Sequence, residues 1–467
     1  MTGKQPETQY GKNYDIIIIG AGLSGLSSAH FLNKMSPGLN VLLLEKTGRP
    51  GGAVQSFKKD GFLAELGPHG FLDNAPASRE ILEDTGLDKE AQQAPLGDFH
   101  RYVCHQGKLV QLPQKPLKIL TTPLLSFSAK LRLLADFWIK PVEENQTIGQ
   151  WAGRRFGKSI LPLVDAAVTG SFSGDYTKLS IDAVMPGARR LEKEHGSLLR
   201  ALIRKAKKKS DGPKTKLPAM KNFPQGLERL VDALVQGKEI ELRTAVTRIV
   251  RKDGMWEVET EKGTVSGKEL VLALPVNEAL KLLSPLDTPP VSSVPVSRIV
   301  NVVLGFSNKA RIPYGFGYLA PECEKRFTLG AMFSSQMFPN RAPGDNVLLE
   351  ALVGGRRHPE RLELGDEEII ERVCQDISQL MDLPEKPIFA QVLRPKSGIP
   401  QLEMDHPALL HWRFGVEQKM PGLYICGFGW DGIGINDMTK SAKRVAEDIV
   451  AGKRGDTPEA PVKPVYF

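Results

Sequence analysis

Asp15-Ile16-Ile17-Ile18-Ile19-Gly20-Ala21-Gly22-Leu23-Ser24-Gly25 is the stretch on which the fold turns. Its β-branched run reads as a buried parallel strand. A glycine-rich bend follows, and Leu26 to Leu32 read as a helix in which small Ser27, Ser28 and Ala29 allow close packing on a sheet. Beyond Pro37-Gly38, Val41-Leu42-Leu43-Leu44 reads as a second strand, ending in Glu45, 20 residues after Gly25. Strand, G-x-G-x-x-G, helix, strand and acid, in that order, form a dinucleotide-binding fingerprint in its required context. Gly20 makes the tight turn, Gly22 lets the backbone approach a pyrophosphate, and Gly25 lets the helix lie on the strand. Ala21, Leu23 and Ser24 complete the cradle, with helix N-terminal amides facing the phosphates. Glu45, with Lys46 beside it, is placed to accept hydrogen bonds from a ribose 2′-OH. Like charge disfavours a 2′-phosphate, so NADP is not expected.

Working outward, Arg49-Pro50-Gly51-Gly52-Ala53 follows the acid directly, and Glu65-Leu66-Gly67-Pro68-His69-Gly70 is a further glycine-rich turn. Paired glycines let the main chain run close beside a cofactor. A simple NAD domain needs no such additional loops; a longer cofactor with a flavin ring does, which points to FAD. At the other end of the chain, Leu423 to Gly427 reads as a buried strand, Phe428 to Asp437 as a glycine-rich turn and Met438 to Ala451 as a helix. Gly427, Phe428, Ile433, Gly434 and Ile435 are expected to serve the flavin half of the same cofactor. No ribose-binding acid follows to suggest a second nucleotide site. In the middle, Val246–Arg251 and Met255–Thr260 flank Asp253-Gly254, a favoured hairpin turn. Glu269 to Pro275 returns as a buried strand. Val246 would touch the adenine through its backbone.

Composition bounds the rest. The 467 residues carry a net charge of +8, with 41% hydrophobic and 25% charged residues, which excludes a disordered chain, a coiled coil and a polytopic membrane protein. Seven basic residues against Asp211 between Arg204 and Lys216 supply +6 of that charge. This segment is either a solvated loop or a partner for anionic headgroups. It has no aromatic interleaving and no module that would support nucleic-acid binding. Cys104, Cys323, Cys374 and Cys426 are far apart and lack metal spacing, so no disulfide framework and no metal site is expected, and reduced thiols fit a cytosol-facing protein. Met1–Asn13 has no apolar core of a secretory signal. No apolar run of membrane-spanning length occurs.

The expected class is α/β: a Rossmann-type FAD-binding domain assembled from residues 1–75, 221–285 and 416–452, with an α+β substrate domain over 286–415. A helical, membrane-associating region spans 76–220 and a mobile tail 453–467, which holds Pro458, Pro461 and Pro464. Phe127, Leu131, Leu134 and Trp138 share one face of a helix, while Lys130, Arg132 and Asp136 point elsewhere. That face reads either as core or as a membrane-surface contact.

With these residues in place, the chain resembles the oxygen-dependent, FAD-dependent protoporphyrinogen oxidases, within the wider group of flavin amine oxidases and phytoene desaturases. The N-terminal motif and Glu45 are common to the whole group. Glu65-Leu66-Gly67-Pro68, Thr169 to Asp175 with Lys178-Leu179-Ser180, Leu329 to Ser335 with Met337 to Pro343, and Gly427 to Asp437 are the more specific stretches, and the resemblance covers nearly the full length. It implies that Arg101, in its Arg-Tyr context, pairs with a substrate propionate. That arginine leans towards protoporphyrinogen over coproporphyrinogen. Phe333 and Leu319 would flank the macrocycle, though both are equally credible as core, and Gly170 would come close to it. His69 is the nearest thing to a general base; a structural histidine satisfied by backbone is the competing reading. The implied reaction passes hydride from a porphyrinogen meso carbon to the flavin in three rounds, with molecular oxygen as acceptor and hydrogen peroxide released. The resemblance also implies peripheral attachment to the cytoplasmic face of the cell membrane and leaves a homodimer open. An amine or polyene oxidase, and a flavin-binding scaffold without turnover, are the rival readings.

Overall fold

The computed structural model describes residues 12–114, 118, 119, 121–208, 218–383 and 386–452. The tail 453–467, most of Met1–Asn13 and the basic residues from Lys209 to Lys216 lie outside the described residues.

The Ile16–Ile19 run lies in a parallel sheet because its side chains are buried on both faces. Strand Asn13–Ile19 pairs in parallel with Val41–Leu44 on one side and with Gly263–Ala273 on the other. Glu239–Glu241 extends the first side, again in parallel. Leu423–Cys426 lies along the far half of Gly263–Ala273, so Ile19, Leu272 and Ile425 stand in one register. The same long strand carries, at its other end, the antiparallel hairpin Val246–Lys252 and Met255–Thr260. Asp253 and Gly254 both have positive φ, 49° and 80°, as the expected two-residue turn requires. Helices Leu23–Met35 and Ile435–Val450 cover one face with Leu26, Phe31, Val445 and Ala446. Three remote segments of sequence therefore form one domain.

The second sheet has the spatial order Phe389–Leu393, Ile299–Phe306, Val347–Gly354, Gly330–Met332, Gly317–Leu319, Arg101–His105, Lys108–Gln111. Residues 101–111 thus complete the sheet formed by 299–393, which corrects the boundary that placed them in a helical region. Parallel pairing of Arg101, Tyr102 and Val103 with Gly317, Tyr318 and Leu319 satisfies an edge that would otherwise stand open. Ala219–Asn222 likewise joins Phe71–Leu72 and Gln92–Pro95 in a small sheet. One face of the large sheet is sealed by helix Asp366–Ser378 through Ile369, Val373 and Ile377. The other face packs on Phe62 and Ala64 through Val303 and Leu348, and on Leu124 and Ala166 of the helical side through Val103.

Helices Phe127–Leu134, Ile148–Phe156, Leu161–Phe172, Pro186–His195 and Leu198–Lys208 form the remaining layer. The face formed by Phe127, Leu131, Leu134 and Trp138 is turned outward, from 49% to 78% exposed, and Leu202 and Ile203 are exposed as well. This excludes the core reading of that face. The helix is held instead from its polar side. Asp136 is fully buried on Arg155, Ser197 and the Leu199 amide, and Arg132 donates to the carbonyls of Arg154 and Arg155. Among the described residues, no helix is long and apolar enough to cross a membrane.

Candidate active site

The two glycine-rich bends lie at the carboxyl ends of strands Asn13–Ile19 and Leu423–Cys426, which flank Gly263–Ala273 on either side. Gly20 takes φ 99°, and a Cβ on Gly25 would lie 1.9 Å from the Gly20 carbonyl oxygen, so only glycine lets helix and bend touch. Gly22 is different. A Cβ there would meet nothing nearer than the Gly52 Cα at 3.9 Å, so its missing side chain leaves open space above the uncapped start of helix Leu23–Met35. The Gly51 amide donates to the Ala21 carbonyl, which lays Arg49–Ala53 beside the bend. Arg49 ties that loop by donating to the carbonyls of Pro50, Gly52 and Val54. Lys46 pairs with Glu278 on the surface.

Glu45 is buried. One carboxylate oxygen accepts from the Ala21 amide at 3.0 Å and the other from the Thr47 amide and hydroxyl at 2.8 Å. Its carbonyl accepts from the Thr244 amide, which brings the start of strand Val246–Lys252, and with it Val246, to the same end of the sheet. On the C-terminal side, Gly427 is forced by the Leu274 carbonyl, 2.1 Å from where a Cβ would sit. Phe428 accepts from the Val276 amide and packs with Ile435 in the core of the first domain. Ile433 instead packs against the helical layer. Gly434 starts the last helix, and its amide donates to Asp437. Asn436 clasps the N-terminal loops by donating to the Leu72 carbonyl and Asn74. The open space at Gly22 and the nucleotide fingerprint around it fit a bound FAD. Gly20–Gly25 and Glu45 would hold its nucleotide half and Gly427–Ile435 its ring half.

Between the sheets lies a buried polar cluster that sequence reasoning did not find. Gly67 packs so closely on Ala53 that a Cβ would lie 1.9 Å from the Ala53 carbonyl oxygen; Pro68, His69 and Gly70 follow. His69 places Nε2 3.0 Å from a Glu350 carboxylate oxygen, and its carbonyl accepts from Asn222. Glu350 also accepts from Ser334 and Asn301. Burial pushes the Glu350 carboxyl up, but the charge and hydrogen bond of His69 prevail and hold it at about 2. For His69, burial pushes down and Glu350 pushes up more strongly, so the imidazole stands above its ordinary value. The histidine is therefore satisfied by a carboxylate, where a backbone partner was the competing expectation. Glu65, buried beside it, accepts from Arg341, Asn222, Ser56 and the Leu227 amide. The signal was available: Asn301 and Glu350 are lone polar residues inside strongly apolar strands, and burial of such groups requires partners.

Register carries this cluster across the sheet. Arg101, Gly317, Met332 and Glu350 stand opposite one another on four neighbouring strands, and Val103, Leu319, Gly330, Leu352 and Asn301 form the next row. Opposed residues share a face. Arg101, Leu319, Glu350 and Asn301 therefore share one face of the sheet. Gly170 sits against Leu319, 2.7 Å from where a Cβ would lie. The Arg101 Nε is buried without a partner among the described residues, and burial disfavours its charge. Phe333 does not join this face. It is fully buried with Tyr318, Ala331 and Val302 under helix Asp366–Ser378, so the core reading holds for it and it does not flank a ligand beside Leu319.

The last loop is braced by Arg413, which donates to both oxygens of Asp431 at 2.9 and 3.0 Å and lies over Trp430. Of the thiols, Cys104 and Cys426 are buried and pushed up to about 12, chiefly by desolvation. They are not nucleophiles.

Residues 23–450 match the family described as flavin containing amine oxidoreductase. The chain belongs to that family. Family membership makes it a flavin-dependent oxidoreductase with FAD as cofactor. It is 26% identical to protoporphyrinogen oxidase 2 of Arabidopsis thaliana, over 93% of this chain and 94% of that one. It is also 26% identical to coproporphyrinogen III oxidase of Bacillus subtilis (strain 168), over 93% and 97%. Among solved structures, a protein described as a putative protoporphyrinogen oxidase from Exiguobacterium sp. 255-15 superposes with a TM-score of 0.80 at 23% identity. That match covers 95% of this chain and 99% of the other, and the likeness establishes the fold.

Proposed function

We propose that this family member oxidises protoporphyrinogen IX to protoporphyrin IX, with molecular oxygen as the final acceptor and hydrogen peroxide as by-product, in tetrapyrrole biosynthesis. The observation that carries this reading is Arg101: a guanidinium with an unpartnered, buried Nε on the sheet face that also carries Leu319 and Met332. A flat apolar macrocycle with carboxylate arms needs one charged anchor and an otherwise apolar bed. Arg101 binds a propionate; Leu319 and Met332, both partly exposed on the same face, supply the bed, and their apolar bulk shields the reacting carbon. Bound FAD supplies the hydride acceptor. Protons released from the macrocycle pass to solvent, so no acid–base pair is required of the protein.

A second reading, coproporphyrinogen III as substrate, is favoured by the similarity to the Bacillus enzyme. Turnover of both porphyrinogens, followed by porphyrin fluorescence, decides between them. The first reading expects a higher kcat/KM for protoporphyrinogen; the reverse order, or no turnover of either, overturns it.

The exposed residues Phe127, Leu131, Leu134, Trp138, Leu202 and Ile203, with Arg200 and Arg204 on the same helix as the last two, support docking on an anionic membrane surface. The same reading extends to peripheral attachment at the cytoplasmic face of the cell membrane, where a lipophilic substrate and product would partition.

A further inference from the structure

The geometry points to His69 as an imidazolium at neutral pH, kept so by Glu350, that supplies a positive charge beside the cofactor-side loop Gly51-Gly52 and does not serve as a base. This rests on the flavin-oxidase reading and adds to it the charge state of one residue and a positioning role for another.

Charge balance is the main argument. Four ionisable groups meet in this buried seam: Glu65 from strand Phe62–Glu65, Glu350 from strand Val347–Gly354, Arg341 from the loop between the strands, and His69. Glu65, Glu350 and Arg341 are each 2% exposed. Two carboxylates against one guanidinium leave one uncompensated negative charge, which is costly in a dry interior. An imidazolium at His69 cancels it; a neutral imidazole does not.

The hydrogen bonds agree. Arg341 is committed to Glu65 and lies over the Phe338 ring, so it does not serve Glu350. Glu350 Oε1 is taken by Ser334, and Oε2 by Asn301 and His69 Nε2. A carboxylate that only accepts makes Nε2 the donor. The His69 side chain remains 17% exposed and so reaches the surface of the cluster. Its backbone is pinned by Asn222, two residues beyond the Gly67–Ala53 contact that fixes the loop next to Gly51 and Gly52. A base must be able to take a proton, and an imidazolium, protonated at both ring nitrogens, cannot. A fixed cation does other work: it offsets the negative charge that the ring gains with each hydride. The proton lost from the macrocycle would go to water, leaving His69 unchanged.

The test begins on the holoprotein and on FAD-stripped protein. Ring carbons of labelled histidines are followed by NMR from about pH 5.5 to about pH 9, the window around an ordinary histidine, and His69 is assigned by loss of its signal in His69→Gln. The expected result is a His69 still protonated at neutral pH with and without FAD, and neutral there in Glu350→Gln. A His69 that is neutral in the wild type at neutral pH overturns the proposal. Should Glu350→Gln fail to fold, the wild-type titration still decides. The second readout is the affinity for reduced FAD relative to oxidised FAD. In His69→Gln this ratio falls at least about tenfold, which is what one charge within ~12 Å contributes at an effective dielectric of about 20, and His69→Lys restores it. An unchanged ratio in His69→Gln, or an equal loss in His69→Lys, overturns the electrostatic role. No porphyrinogen enters either measurement, so failure of the substrate reading shows separately, as absent porphyrin fluorescence with both readouts intact.

Discussion

Two clusters of charge are buried in this molecule, and they differ in one respect. In the helical layer, Asp136 and Glu192 are fully buried among Arg154, Arg155, Arg189, Trp151 and Ser197. Glu192 accepts from Trp151 at 2.7 Å, Arg154 at 2.8 Å, Arg155 at 2.7 Å and Arg189 at 2.9 Å. Burial pushes the Glu192 carboxyl up, and these donors hold it at about 2. Almost every donor there is used. In the seam between the sheets, the Asn301 Oδ1 and the Arg341 Nε and Nη2 have no partner, and the seam includes a histidine. A saturated network fixes helices in place. A network with spare groups at its edge is prepared to meet something.

The largest effect is expected where the saturated cluster is cut. Glu192→Gln leaves three arginines without their shared partner and should cost about 3–5 kcal/mol, the range for breaking a buried ion pair. Thermal denaturation should show a large fall in Tm, while FAD per folded molecule stays constant. A loss of FAD at full Tm would break the distinction between the clusters.

Next is the open side. Arg101→Ala removes a charged hydrogen bond worth about 1.5–3 kcal/mol. KM for protoporphyrinogen should rise about 10- to 100-fold with little change in Tm. An untouched KM removes Arg101 from the site.

Acid and alkali separate the clusters by sign. Glu192 and Glu350 are both held near 2, so the stability each contributes is present above its ordinary value of 4.5 and is lost as pH falls towards about 2. His69 stands above its ordinary value of 6.5, so its contribution is complete below that value and is lost as pH rises through the raised one. Urea unfolding across pH should therefore show an alkaline decline that His69→Gln abolishes and Glu192→Gln leaves in place.

The smallest effect on the fold is expected at the outward helix. Phe127→Ser, Leu131→Ser and Trp138→Ser together should change stability by no more than ~0.5 kcal/mol each, as for surface sites. Sedimentation with anionic vesicles should be lost. Vesicle binding unchanged in the triple variant would remove the docking role from this face.

The cofactor domain was readable because each of its demands has a residue signature. Gly20 and Gly25 answer steric needs that no other residue meets, and Asp253-Gly254 marks a turn. The strand order itself came from the pairings of Gly263–Ala273 with Asn13–Ile19 and with Leu423–Cys426. The seam was not readable as a unit, because Glu65, Asn301, Arg341 and Glu350 come from four separate stretches and their meeting is a product of sheet register. Phe333 shows the same limit: two rows of apolar residues alternate along every strand, and sequence does not say which row faces the cofactor. The helix over 127–138 left two readings open, because its period fits a core as well as an outward apolar face, and the burial of Asp136 decides for the outward one.

That arrangement has a consequence for how the surface can change over time. A helix anchored through Asp136 and Arg132 asks nothing of the oily side chains on its outer side. They are free to lengthen, shrink or disappear under selection for another environment, and the catalytic half of the molecule would register no difference.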